Sequence, residues 1–215
     1  MIEAVVFDLD GVLVDSEQAW DGARRELVEE RGGTWTDGAE IDMLGMSSRE
    51  WPVYLRDRLG VDMQPADISA DVVARMLAGY RKRLPLIPGA VEAVERMAAR
   101  WPLGLASSSN REVIDVVLEQ AAIARQFRAT VSSEEVARGK PSPDVFREAA
   151  RRLGVDPAAC AAIEDSHNGI LSARAAGMRV IALPNHAFPP GPEALGQAHA
   201  VLGGLDELIP ERVDG

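Results

Sequence analysis

The chain opens on Ala4-Val5-Val6-Phe7, an apolar run rich in β-branched residues that reads as a fully buried strand, and then changes to Asp8-Leu9-Asp10-Gly11. From Ser16 the period lengthens to that of a helix. Ser16 is the expected N-cap, and Trp20, Ala23, Leu27 and Val28 form an apolar stripe that runs to Glu30 and stops at Gly32-Gly33. Two further helices are predicted over Ser48 to Leu59 and Ser69 to Arg83, separated by Gly60 and the Gln64-Pro65 region. Residues 15–86 show no strand pattern and read as a small helical domain inserted after the first strand. Pro85 to Gly89, with two prolines and a glycine, reads as the hinge that follows it.

Beyond the hinge, helix and strand alternate. Helices are predicted at Ala90–Arg100, Arg111–Gln120, Pro143–Leu153 and Ser166–Ala176, with strands at Leu103–Ala106, Ala129–Ser132, Ala159–Ile163 and Arg179–Leu183. Such alternation predicts an α/β fold, a parallel sheet covered on both faces. The segment from Pro184 onward is rich in proline, glycine and alanine; Val201-Leu202 and Leu205 to Ile209 are expected to add a last strand and turn.

Composition narrows the function. With 23 Lys+Arg against 34 Asp+Glu the net charge is −11, which argues against nucleic acid or an anionic membrane surface as a partner and requires a local basic pocket for any anionic substrate. The single cysteine, Cys160, leaves no disulfide framework and reads as a buried small residue. Glu3 and Asp8 interrupt the basic start and apolar core of a signal peptide, and no apolar run approaches the roughly 20 residues of a membrane span, so the cytoplasm is the expected location.

In open parallel sheets ligands bind outside the carboxyl ends of the strands. Those ends carry Asp8 and Asp10, then Ser107-Ser108-Ser109-Asn110, then Glu164-Asp165, and Gly139-Lys140-Pro141-Ser142-Pro143 fixes a lysine before a helix. Were the first strand to continue regularly through Asp10, its two carboxylates would share one side and need a cation or a shared proton. Carboxylates suit a hard cation such as Mg²⁺, which also retains waters and a substrate phosphate. Serine hydroxyls, helix N-terminal amides and a lysine suit phosphate oxygens, and a carboxylate can accept a phosphoryl group covalently. The set suits phosphoryl transfer.

The motifs Phe7 to Glu17, Leu105 to Ser109, Gly139 to Pro143, and Ile163 to Ser166 with Gly169 and the Ala173 to Met178 run stand in an order that resembles the haloacid dehalogenase-like hydrolase superfamily. The subgroup is the one that includes phosphoglycolate phosphatases, sugar-phosphate phosphatases and β-phosphoglucomutase. The resemblance implies a Rossmann-like three-layer core over residues 1–14 and 87–215 and a mobile helical cap over 15–86. It implies Asp8 as nucleophile, Asp10 as general acid/base, and Ser107 and Lys140 as holders of the transferring phosphoryl group, with Ser108 and Asn110 beside them. It further implies Mg²⁺ held by Asp8, the Asp10 carbonyl and Asp165, with Glu164 as an outer ligand. In the cap, Gly45-Met46-Ser47-Ser48-Arg49 corresponds to a substrate-contacting loop, which makes Ser48 and Arg49 candidates and Arg49 the expected distal anion contact.

Trp20, Trp51 and Tyr80 are expected in the cap core, with Trp20 the one that could also face the active site; His167 is expected at the surface or behind the site, and His186 and His199 in loops. The mutase branch carries a histidine on the first cap helix, where this chain has Gln18, Ala19 and Trp20. The expected activity is therefore a Mg²⁺-dependent phosphatase acting on a small phosphorylated metabolite, as a monomer or possibly a dimer. A β-phosphoglucomutase-type transfer is the alternative. A receiver-like signalling module that stores an aspartyl-phosphate is a further one, disfavoured by the inserted helices.

Overall fold

The computed structural model describes residues 1–43, 46–185 and 189–215. Gly45 and His186 lie outside them. Six strands, β1 (Ala4–Phe7), β2 (Leu103–Ser107), β3 (Phe127–Ser132), β4 (Cys160–Glu164), β5 (Arg179–Ala182) and β6 (Ala200–Val201), form one all-parallel sheet in the order β3-β2-β1-β4-β5-β6. The sheet order reverses direction beside β1, so the first strand ends at the switch point where open α/β sheets place ligands.

Ten α-helices are described: α1 (Glu17–Glu30), α2 (Ala39–Asp42), α3 (Trp51–Leu59), α4 (Pro65–Lys82), α5 (Ala90–Ala98), α6 (Arg111–Gln120), α7 (Asp144–Leu153), α8 (His167–Ala176), α9 (Pro192–Leu195) and α10 (Pro210–Asp214). Alternate residues of the buried strands serve opposite layers. Ala4, Val6 and Ala162 pack with Val145 and Phe146 of α7 and Ile170 of α8, whereas Val5, Phe7 and Ile163 pack with Val94 of α5 and Val117 of α6. The result is a Rossmann-like three-layer core. Among the described residues no helix is long and apolar enough to cross a membrane.

Helices α1 to α4 all fall between β1 and β2. The chain leaves and re-enters the core through two segments bonded side by side: Val14 bridges Leu86, Asp15 N donates to the Pro85 carbonyl at 2.8 Å, and Ile87 N to the Leu13 carbonyl at 3.0 Å. The expected hinge is therefore one half of a short ribbon, not a free linker.

Several boundaries differ from the sequence reading. The helix expected from Ser48 starts at Trp51, because Pro52 suits only a first turn and Ser47 spends both its N–H and its hydroxyl on the Glu50 carboxylate. Pro65, read as a separator, is instead the first residue of α4, where its missing N–H costs nothing. Strand β3 begins two residues early at Phe127, and α2 is a single turn that carries no periodic signal. Leu205 to Ile209 forms no strand; it precedes α10, and Arg96 of α5 ties it down by donating to the Leu205 and Leu208 carbonyls.

Phe7 is wholly buried and meets Phe127 edge-on, with ring centroids 6.1 Å apart. Because it precedes Asp8 directly, Phe7→Ala should cost about 3–5 kcal/mol of stability, read as a lower midpoint in urea with an unchanged slope.

Candidate active site

Strand β1 ends at Phe7, so alternation carries Asp8 to the α7/α8 face but does not extend to Asp10. Register then supplies Asp8 with a neighbour. Phe7 pairs with Ile163 and Asp8 N donates to the Ile163 carbonyl at 2.9 Å, which sets Glu164 beside Asp8. Lys140, in the loop before α7, approaches from the same face and donates to Asp8 Oδ1 at 2.7 Å and Glu164 Oε1 at 2.6 Å. All three side chains are buried, which is tolerable only because they pair.

Glu164 has no free oxygen. Its Oε2 accepts from the N–H groups of Asp165 and Ser166 and from the Ser166 hydroxyl, so it orders the start of α8 as well as holding Lys140. Gly169 makes this possible, because a Cβ there would stand 1.7 Å from Glu164 Oε1. Asp165 points the other way along the strand end, as adjacent residues do. Its Oδ1 is buried with no partner among the described residues, and Gly11, at φ +78°, leaves room for Oδ2, which would lie 1.9 Å from a Cβ.

Carboxylate oxygens of Asp8, Glu164 and Asp165 lie within 4.8 Å of one another. Burial pushes the Asp8 carboxyl up to about 8, with Lys140 pulling against it and Glu164 and Asp10 adding to it. Burial likewise raises Asp165, helped by the charges of Glu164 and Asp8. One ammonium does not neutralise three carboxylates. The orphaned Asp165 oxygen and the excess negative charge fit a hard divalent cation with oxygen ligands.

Asp10 is held apart from this cluster. Its Oδ1 accepts from the Ser16 hydroxyl at 2.6 Å and the Trp20 indole N–H at 3.3 Å, and its Oδ2 from Ser109 at 2.7 Å and Ser107 at 3.3 Å. Ser16 therefore does not cap α1; its hydroxyl is used on Asp10. Ser109 is not singled out by the sequence because three serines in a row carry no orientation, whereas Trp20 takes the active-site orientation that the sequence left open. Trp20 and Trp51, both buried, also line the cavity, so they serve both roles.

A cavity of 540 Å³ opens over the Asp8, Asp10, Lys140 and Asp165 side chains and is closed by helices α1 to α3. Ser108 lines it and His167 stands at its mouth, whereas Ser107 is fully buried behind Asp10. The remaining candidates meet elsewhere. Arg49 donates to the Glu134 carbonyl at 2.7 Å, Ser48 shares a hydrogen bond with Ser133 at 3.1 Å, and Asn110 donates to Glu134 at 2.8 Å and Ser69 at 3.3 Å. These residues form a seam between the inserted helices and the segment after β3, outside the cavity lining. His199 sits before β6 and accepts from Val180 N at 2.9 Å.

Besides Lys140, the cavity wall carries Arg24, which the sequence did not single out. The signal was present: Arg24 falls on the buried stripe of α1, one turn after Trp20. Burial pulls its guanidinium down to about 10, with Asp21 and Asp10 opposing. Glu17, half-buried on the same wall, is raised to about 7 by burial and by Asp21, Asp15 and Asp10.

The cluster dictates a pH and metal dependence. Asp8 takes up a proton on folding wherever pH lies between its ordinary value of 3.8 and about 8, so the metal-free protein should lose stability as pH rises across that window. A divalent cation held by these carboxylates, such as Mg²⁺, would compete with those protons. Its addition should therefore raise the melting temperature more at about pH 8.5 than at about pH 6, and melts with Mg²⁺ or EDTA at both values check this.

Comparison with known proteins agrees with this architecture. The family model described as haloacid dehalogenase-like hydrolase matches residues 2–177. Hexitol phosphatase B of Escherichia coli O157:H7 is 34% identical over 216 residues, covering 95% of this chain and 90% of its own length. Crystal structures of CbbY from Rhodobacter sphaeroides superimpose on it. The complex with phosphate does so with a TM-score of 0.89 at 29% identity, covering 100% of both chains. The complex of a variant with xylulose-(1,5)-bisphosphate gives 0.86 at 27% identity, covering 99% of both. By its motifs, its sheet order and these relatives, the chain belongs to the haloacid dehalogenase-like hydrolases, in the group of the phosphoglycolate phosphatases and β-phosphoglucomutases.

Proposed function

We propose that this enzyme is a Mg²⁺-dependent phosphatase that hydrolyses a small phosphorylated sugar or related metabolite through an aspartyl-phosphate on Asp8. The observation that carries the reading is the split between the two aspartates. Asp8 has one oxygen fixed by Lys140 and opens on the cavity, whereas Asp10 is held by hydroxyls that can reverse their hydrogen bonds.

Asp8 attacks phosphorus through an oxygen, and the bond to the leaving oxygen breaks as that oxygen takes a proton from Asp10. Water then attacks the phosphorus of the aspartyl-phosphate, gives its proton to Asp10, and restores the Asp8 carboxylate as inorganic phosphate leaves. The Ser16 and Ser109 hydroxyls donate to Asp10 when it is ionised and can accept when it is protonated, so they follow either state without moving. Lys140 keeps Asp8 oriented and offsets charge on the phosphoryl oxygens. Asp8, Asp165 and the Asp10 carbonyl would hold Mg²⁺, with Glu164 behind them; the ion would supply charge stabilisation at the phosphoryl oxygens when bound.

Residues 15–86 act in this reading as a cap that closes the cavity, and the paired segments at Val14 and Leu86 are where it joins the core. The hexitol phosphatase relative supports a phosphorylated sugar or polyol as substrate. The net charge of −11 disfavours nucleic acid and anionic membrane surfaces as partners, and the single cysteine suits a reducing compartment such as the cytoplasm.

Phosphate release from a panel of sugar and polyol monophosphates with Mg²⁺ tests the reading. Asp8→Asn should lower turnover by at least about 10³-fold with an unchanged circular dichroism spectrum, and Asp10→Asn by about 10²–10⁴-fold. Full turnover by Asp8→Asn would remove the nucleophile assignment. Conversion of β-glucose 1-phosphate to glucose 6-phosphate without phosphate release would point to transfer instead.

A further inference from the structure

Arg24 brings to the cavity a cation that has no hydrogen-bond partner among the described residues. It is only 9% exposed, yet its guanidinium makes no hydrogen bond among the described residues, and its Nε is sealed off without a partner. The Asp21 carboxylate comes no closer than 4.0 Å. Arg24 is held instead by aromatic faces, with its guanidinium carbon 5.0 Å from the ring centroids of both Trp20 and Trp51. These contacts satisfy none of its N–H donors. A buried charge left in that condition is costly and marks a place where a partner arrives from outside the chain.

The surrounding wall indicates what kind of partner. Glu17, Asp21 and Glu40 line the cavity together with Arg24, so this wall offers one set of donors and three sets of acceptors. A second phosphate or a carboxylate brings acceptors only. It could answer Arg24, but it would add negative charge beside three carboxylates. A chain of hydroxyls brings both, accepting from the guanidinium and donating to the carboxylates, while its C–H faces pack on Trp20 and Trp51.

We propose that Arg24 is the specificity-determining residue for the end of the substrate remote from the transferred phosphoryl group, and that this end is an uncharged polyhydroxyl chain and not a second phosphate or a carboxylate. The proposal rests on the phosphatase reading for the orientation that sets the phosphoryl group at Asp8. It separates this chain from the bisphosphate held by CbbY. It also gives Trp20 two contacts, with its N–H on Asp10 and its ring against Arg24, so the recognising group and the reacting carboxylate meet the same indole.

The test measures binding to the Asp8→Asn protein in Mg²⁺ by calorimetry. Sorbitol 6-phosphate or fructose 1-phosphate should bind at least about tenfold tighter than inorganic phosphate, and fructose 1,6-bisphosphate and 2-phosphoglycolate should bind more weakly than the better monophosphate. Arg24→Met should weaken the monophosphate by at least about tenfold but inorganic phosphate by less than about twofold, with Arg24→Lys between them because it keeps the charge and loses the planar fork. Tighter binding of the bisphosphate or of phosphoglycolate overturns the proposal, as does an equal loss for both ligands in Arg24→Met. If Arg24→Met does not fold, the ligand order in Asp8→Asn decides alone. The expected ligand order in a protein whose Asp8 form releases no phosphate would leave the proposal standing and remove the hydrolytic reading.

Discussion

The site depends on one buried ammonium. Lys140 lies between Asp8 and Glu164, and all three are removed from water, so each charge is stable only while the other two stay in place. The three come from distant parts of the chain: the first strand, the loop before α7 and the fourth strand. Folding the parallel sheet is what assembles them. Glu164 extends the constraint into α8 through three further hydrogen bonds, so the Asp165 backbone is fixed by the same carboxylate that fixes the lysine. Two glycines, Gly11 and Gly169, permit the close approach, because a Cβ at either would occupy carboxylate space.

Around this triad the charge remains unbalanced, with Asp165 a third carboxylate beside one lysine. The same imbalance that is expected to destabilise the cluster at high pH fits it to a divalent cation. Asp10, which stands in the same short turn, escapes the problem by facing four neutral donors. Two aspartates separated by one residue thus occupy different electrostatic surroundings, and the proposed division of labour between attack and proton transfer rests on that difference in surroundings.

The inserted helices do more than cover the cavity. Trp20 reaches from α1 to Asp10, and the Ser47 to Arg49 segment packs on the loop around Gly139 and on the segment after β3, where a Cβ on Gly139 would stand 2.7 Å from Ser47 Cβ. The position of these helices is therefore registered both at Asp10 and beside the lysine loop. Arg24 and its two indoles form the part of the wall that has no counterpart in the core.

Much of this could be read from residue order. The alternation of apolar strands and amphipathic helices determined the α/β core, the helical stretch between the first two strands determined the insertion, and the motifs at strand ends identified Asp8, Lys140, Glu164 and Asp165, because in a parallel sheet every strand delivers its carboxyl end to the same side. Residue order did not determine the direction of side chains in irregular segments. Ser16 resembles a helix cap and turns to Asp10; Arg49 resembles a substrate contact and bonds the Glu134 carbonyl; Arg24 resembles an ordinary helix residue and lines the cavity beside two indoles. Strand alternation is a local rule of period two and survives translation into space. The orientation of a cap residue toward the core depends on how two helical layers dock, which only contacts distant in sequence decide.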